Sequence, residues 1–251
     1  MGGEDVLEVL TAAADVVADA LEAIVDWSPL GTRAGQYALD LVADEPLCEV
    51  LFDAGFGVLS EESGLRFAER EVVVVADPVD GSTNASRRIP YYNTSLCAVD
   101  GDGPLAALVV NQATGERFDA IRAGGARRNG VAIEPSTTRH LEDALVAFNG
   151  LPAGHWGWAQ YRAFGAAALD LCAVACGRID AYVDATPRAH GPWDYLAGLL
   201  ICTEAGAIVT DVDGLDLVVL DHAARRTPVA AATPELHATL VTLRGSGSSS
   251  P

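Results

Sequence analysis

The chain contains no lysine: its 16 basic residues are all arginine, set against 35 Asp and Glu, for a formal net charge of −19 over 251 residues. So acidic a surface repels a phosphate backbone, which excludes nucleic-acid binding through a basic face. It also stays soluble at high salt, where screening acts within about 3 Å at 1 M. Salt adaptation and a GC-rich genome favouring Arg, Ala and Val codons account for the bias equally well. Also missing is any apolar run of about 18 residues, the length a spanning helix requires, so no membrane association is expected. No secretory signal peptide is recognised, and the expected compartment is the cytoplasm. Cysteine is scarce and odd in number: Cys48, Cys97, Cys172, Cys176 and Cys202, with no Cys-x-x-Cys pair. That removes the usual structural zinc site. Cys172 and Cys176 share a helix face at i and i+4, and are read as buried, reduced thiols behaving as small hydrophobes.

What is present is core: half of the chain is hydrophobic, enough for one large domain or two packed ones. Apolar residues recur at helical spacing from Glu4 to about Trp27, and again from Asp44 to Asp53. A short strand then leads to Glu61. Further strands are predicted near 72–76, 94–99, 105–110 and 116–121, which reads as helices laid on a sheet rich in antiparallel pairs. The second half alternates: strand 144–148, helix 165–176, strand 179–183, helix 194–205, and strands near 207–210 and 229–232. The expected division is residues 1–140, residues 141–244, and a flexible tail at 245–251, with the few residues before Asp5 also loose.

The most informative segment is Val72-Val-Val-Val-Ala-Asp77-Pro-Val-Asp80-Gly81-Ser82. A β-branched run this dense suits a strand buried on both faces, and it ends in two carboxylates. Pro78 fixes φ, and Gly81 allows a sharp turn that leaves backbone N–H groups free for an anion. Two hard carboxylates beside such a turn suggest a metal-bound phosphate. The same residues also suit a plain surface turn.

Two more acidic clusters favour the first reading: Leu59-Ser60-Glu61-Glu62-Ser63-Gly64, and Pro192-Trp193-Asp194-Tyr195-Leu196-Ala197-Gly198 at the start of a helix. Together with Asp77-Pro-Val-Asp80-Gly they resemble the inositol monophosphatase family of Mg²⁺-dependent, Li⁺-sensitive phosphatases. The likeness runs from Asp40-Leu-Val-Ala-Asp44 to Thr203-Glu204-Ala205-Gly206-Ala207. It implies an α+β fold layered as an αβαβα sandwich, a cytoplasmic homodimer, and a small phosphorylated substrate, with nucleic acid and membranes as partners excluded. It further implies two or three Mg²⁺ ions, with Mn²⁺ able to substitute and Li⁺ or Ca²⁺ inhibitory.

By the same resemblance, Glu61, Asp77 and the Val79 carbonyl hold one ion, and Asp77, Asp80 and Asp194 a second. Asp44 and Ser82 form the dyad that activates water, while Glu62 is structural. Gly81 and Ser82 offer backbone N–H groups to phosphate; Gly165, Ala166 and Asp184 contact the substrate's hydroxyl side. Ala166 stands where the family has a threonine, which weighs against inositol itself. The segment from Asp184 to Asp194 is about three residues longer than expected. Within it, Arg188 and His190 are candidates for a second phosphate or a carboxylate, as are Arg87 and Arg88 after the Asp-Gly turn, with an exposed loop residue as the default reading of each. The substrate stays open among inositol monophosphate, fructose 1,6-bisphosphate, a nucleotide 3′-phosphate and NADP. The rival class is a non-catalytic acidic module that binds metal for regulation.

Overall fold

The computed structural model describes residues 2–32 and 36–246. The chain opens with helices α1 (Gly3–Glu22) and α2 (Ala38–Asp53), then strands β1 (Gly57–Ser60), β2 (Gly64–Arg66) and β3 (Val73–Asp80) and a short helix α3 (Ser82–Ser86). Strands β4 (Asn93–Asp100), β5 (Gly103–Asn111), β6 (Arg117–Ile121), β7 (Gly125–Arg128) and β8 (Val131–Ala132) complete a sheet ordered β2-β1-β3-β4-β5-β6-β7-β8. All its pairings are antiparallel except β1 with β3.

The remaining elements are β9 (Leu145–Asn149), β10 (Gln160–Arg162), α4 (Ala167–Ala175), β11 (Ala181–Asp184), α5 (Pro192–Ala205), β12 (Ile208–Asp211), β13 (Pro228–Ala231) and α6 (Pro234–Ser246). They form a second, mixed sheet ordered β10-β9-β11-β13-β12. Burial defines five layers. One apolar cluster joins α1 and α2 to one face of the first sheet, through Leu10, Val17, Leu47, Val74 and Leu96. A second fills the space between the sheets with α4 and α5, through Val75, Val109, Leu171, Leu196 and Ile201. The third packs α6 on the far face of the second sheet, through Phe148, Val183 and Leu236. This is the expected αβαβα sandwich.

The boundaries move for physical reasons. Helix α2 begins six residues before the expected Asp44, because Asp40 in its first turn accepts the Tyr37 N–H at 2.8 Å and caps it. Helix α1 starts at Gly3 and ends at Glu22, so the expected loose residues before Asp5 are partly helical. Gly245 and Ser246, assigned to a tail, close α6, and residues 247–251 lie outside the described residues. Strands β2, β7, β8 and β10 are too short or too polar for period-two patterning to reveal.

The sandwiched pair α4 and α5 approach closely at Gly198, where an added Cβ would stand 2.6 Å from Leu171 Cβ. That atom is fixed to the helix backbone and cannot swing away. Gly198→Ala should therefore cost about 1–3 kcal/mol by overpacking, visible as a lower midpoint in thermal denaturation; an unchanged midpoint would mean that the helices can separate freely.

Candidate metal centre

Asp77 and Asp80 are three residues apart, a spacing that puts side chains on opposite faces of a regular strand. They converge because β3 carries a bulge: Asp77 pairs with Ser95 and Asp80 with Asn93, so three steps on β3 match two on β4. The Asp77 carboxylate helps to shape the bulge by accepting the Val79 N–H at 3.0 Å. Beyond it, Gly81 adopts φ +87 and turns the chain into α3. A side chain there would be strained, and its Cβ would lie 3.1 Å from both Ala166 Cβ and the Tyr91 carbonyl oxygen.

Asp194 arrives from the other half of the chain, at the third residue of α5, where its carboxylate caps the helix by accepting Gly191 N–H at 2.7 Å. Pro192 at the first helical position favours that start. Carboxylate oxygens of Asp77, Asp80 and Asp194 all lie within 4.8 Å of one another. Asp80 is fixed from both halves, its Oδ2 accepting Asn93 Nδ2 at 2.8 Å and Ala168 N–H at 2.9 Å.

Burial and mutual repulsion push these acids up. Asp77 is raised well above the carboxylate range by burial and by Glu61, Asp80, Asp194 and Asp40. Glu61, at the β1–β2 turn, rises to about 8 through burial and then Asp194, Glu62 and Asp40. Asp80 rises to about 6 through burial and Asp194, held back by Asn93, Ala168 and His190. Among the described residues, no arginine ion pair reaches Asp77, Asp80 or Asp194. Converging hard oxygen donors with so little positive charge fit a divalent cation such as Mg²⁺.

The expected dyad does not form. Asp44 instead accepts the Ser60 hydroxyl and, at 3.6 Å, the Cys48 thiol. Ser82 donates to the Val79 carbonyl at 2.9 Å. The α2 acid that acts on Glu61 and Asp77 is Asp40, one turn earlier. Residues at i and i+4 share a helix face, so periodicity alone does not separate the two. The capping pattern at Tyr37 is the signal that places Asp40 at the end facing the site.

Gly165 and Ala166 do flank the centre, lining a cavity with Asp80, Asn149, Asp170, Tyr182 and His190. Asn84 holds that wall in place, donating to the Phe164 carbonyl at 2.7 Å and the Tyr91 carbonyl at 2.8 Å. Asp184 is fully buried beneath it, accepting Asn149 Nδ2 and Thr186 N–H, each at 3.0 Å, so it is sealed off from a substrate hydroxyl. Arg188 takes the exposed loop state rather than that of a substrate contact: its side chain is 67% exposed and pairs with Asp213 at 3.8 Å. Arg88 lies over the Trp27 ring at 3.8 Å.

His190, expected in solvent, is buried between Asp184 and Asp194. Its Nδ1 is 3.3 Å from Asp194 Oδ2, and its Nε2 is 2.7 Å from the Tyr182 hydroxyl and 3.7 Å from Asp184 Oδ2. Burial alone would lower its pKa, but Asp194, Asp184 and Asp80 raise it to about 9. Its only sequence signal is its position four residues before Asp194. Asp170 is the other missed residue, a buried acid raised well above its ordinary range that accepts the Tyr91 hydroxyl at 2.8 Å.

The sequence pattern of the inositol monophosphatase family matches residues 5–248. The chain belongs to that family. It is 36% identical over 212 residues, 82% of each chain, to a protein of Archaeoglobus fulgidus named fructose-1,6-bisphosphatase/inositol-1-monophosphatase. It is 35% identical over 173 residues to the Nus factor SuhB of Escherichia coli, covering 62% of this chain and 63% of that one. Among solved structures, a hypothetical protein from Pyrococcus horikoshii with similarities to inositol-1 monophosphatase superposes with a TM-score of 0.82. That match is 27% identical and covers 92% of this chain and 96% of the other. The inositol monophosphatase family thus accounts for the layered fold.

The raised acids give stability a definite pH dependence. Because their folded pKa values lie above the ordinary 3.9–4.3 or so of Asp and Glu, protons favour the fold. Their contribution is complete below about pH 4 and is lost as pH rises through about 6 for Asp80 and about 8 for Glu61. In EDTA, the thermal midpoint should fall between pH 5 and 8.5, and excess Mg²⁺ should remove most of that fall. A midpoint that is flat or rising over this range in EDTA would refute the buried cluster.

Proposed function

We propose that the chain is a Mg²⁺-dependent phosphatase acting on a small phosphorylated polyol or sugar. The convergence of Asp77, Asp80 and Asp194 from a strand bulge and a helix start carries this reading. Glu61, Asp77, Asp80, Asp194 and the Val79 carbonyl would hold the ions. A carbonyl oxygen has two lone pairs, so its bond from Ser82 leaves room for a second partner. Bound there, Mg²⁺ would offset the charge of a phosphate ester and make water acidic enough to attack it in line.

The chain's own residues would do the rest. The N–H groups that open α3 after Gly81 have no partners within the helix and would receive phosphoryl oxygens. Asp40, the α2 acid whose charge helps to raise Glu61 and Asp77, would take up the proton in the role that the resemblance gave to Asp44. His190 Nδ1 meets the same Asp194 oxygen, Oδ2, that accepts the Gly191 N–H, and so helps to fix that carboxylate. The alcohol part of the substrate would lie against Gly165 and Ala166, facing Asn149, Asp170 and His190. With Asp184 sealed and no hydroxyl at Ala166, these three polar groups recognise the ring, which favours a sugar phosphate such as fructose 1,6-bisphosphate over inositol monophosphate. The name of the Archaeoglobus relative covers both substrates.

A panel of phosphate esters, assayed with Mg²⁺ and with EDTA, tests the reaction: release should require Mg²⁺, and no release from any ester would leave the metal-binding regulatory module as the better reading. Asp77→Asn keeps an acceptor for Val79 N–H but removes a charge. It should lower kcat by roughly 10²-fold or more while raising the thermal midpoint in EDTA. The assignment of the helix acid is tested by a pair. Asp40→Asn should lower kcat by a similar factor of about 10². Asp44→Ala should leave kcat within a few-fold but cost about 1–3 kcal/mol of stability, because the Ser60 hydroxyl loses its acceptor. The reverse pattern would restore Asp44.

A further inference from the structure

Residues 212–227, between β12 and β13, form a strap that touches residues beside the metal centre, Glu61, His190 and Trp193. Its ends are fixed: Asp211 Oδ2 accepts Thr227 N–H at 2.7 Å, the Tyr195 hydroxyl donates to the Leu217 carbonyl at 2.9 Å, and Arg226 exchanges backbone hydrogen bonds with His190. Between these anchors the strap presents His222. Its Nε2 lies 3.0 Å from the carbonyl oxygen of Glu61. A carbonyl can only accept, so Nε2 carries the proton. The same imidazole packs on the indole of Trp193, with ring centroids 4.8 Å apart and planes 35° apart. Arg225 supports the pair, its guanidinium 5.1 Å from the Trp193 ring and its Nη1 donating to the His222 carbonyl at 2.9 Å.

His222 therefore touches the neighbourhoods of two acids that come from different halves of the chain. Glu61 stands at the end of β1, where its N–H bonds to the Ala76 carbonyl at 3.1 Å. Trp193 immediately precedes Asp194, and its carbonyl accepts the Ser95 hydroxyl at 3.0 Å. We propose that His222 is a positioning residue for the metal centre, fixing through its Nε2–H and its ring face how far the Glu61 carboxylate stands from that of Asp194. The inference rests on the metal-dependent reading above and adds a residue that no acidic motif contains. Groups that orient ligands in this way are worth about 10–100-fold in metal affinity.

The test is calorimetric titration of Mg²⁺ into the full-length protein, with thermal midpoints recorded in EDTA. His222→Ala loses both contacts, and His222→Gln keeps an N–H that reaches for the Glu61 carbonyl. Mg²⁺ should bind His222→Ala roughly 10-fold or more weakly, with His222→Gln closer to wild type and the EDTA midpoints of all three within a few degrees. Wild-type affinity in His222→Ala overturns the inference, as does a loss that His222→Gln does not relieve. A wild-type protein that binds no Mg²⁺ overturns the metal-dependent reading along with it.

Discussion

Carboxylates brought together away from water repel one another, and the rest of this molecule is arranged around how that repulsion is relieved. Asp77 is the extreme case: it is buried, and four other acids add to its burial in opposing ionisation. Protonation relieves the repulsion at low pH. Near neutrality a divalent cation relieves it better, because it also satisfies several oxygen lone pairs at once. The cost of holding the acids in place without a cation is the reason the centre would bind one tightly.

The scaffold brings the acids together by three local devices. A bulge in β3 turns Asp77 and Asp80 to the same side. Pro192 and the Asp194 cap start α5 where its first turn meets that bulge. Helices α4 and α5, packed between the sheets, carry Ala168 and Asp194 from the second half of the chain to Asp80 in the first. Binding of a cation would thus cross-link the two halves, coupling the chemistry of the site to the stability of the sandwich.

The layered fold was legible because its elements are long and apolar. The all-buried β3 and the core-facing stripe of α1 need no tertiary information to be recognised. Three acidic motifs, through the family they resemble, likewise pointed to Asp77, Asp80 and Asp194, which converge, and to Glu61, whose charge bears on Asp77. What escaped was direction. Asp40 and Asp44 share a helix face and differ only in which end of it meets the cluster, a matter decided by packing. Asp184 closes β11, one residue past the strand expected from the sequence, and lies beneath the cavity wall. Arg188 and His190 sit two residues apart in one loop, one exposed and the other buried, and no local pattern separates them. His222 has no motif at all: its place depends on a strap anchored by Tyr195 on α5 and by Asp211 at the strap's own start.

The central claim is that the converging acids hold divalent cations. A crystal grown with Mn²⁺, in place of Mg²⁺, and recorded for its anomalous signal tests it without reference to any substrate. A peak is expected among the oxygens of Asp77, Asp80 and Asp194, with Glu61 and the Val79 carbonyl within bonding distance of the same or a neighbouring peak. A well-ordered crystal with Mn²⁺ in excess and no anomalous density among those three carboxylates would contradict it.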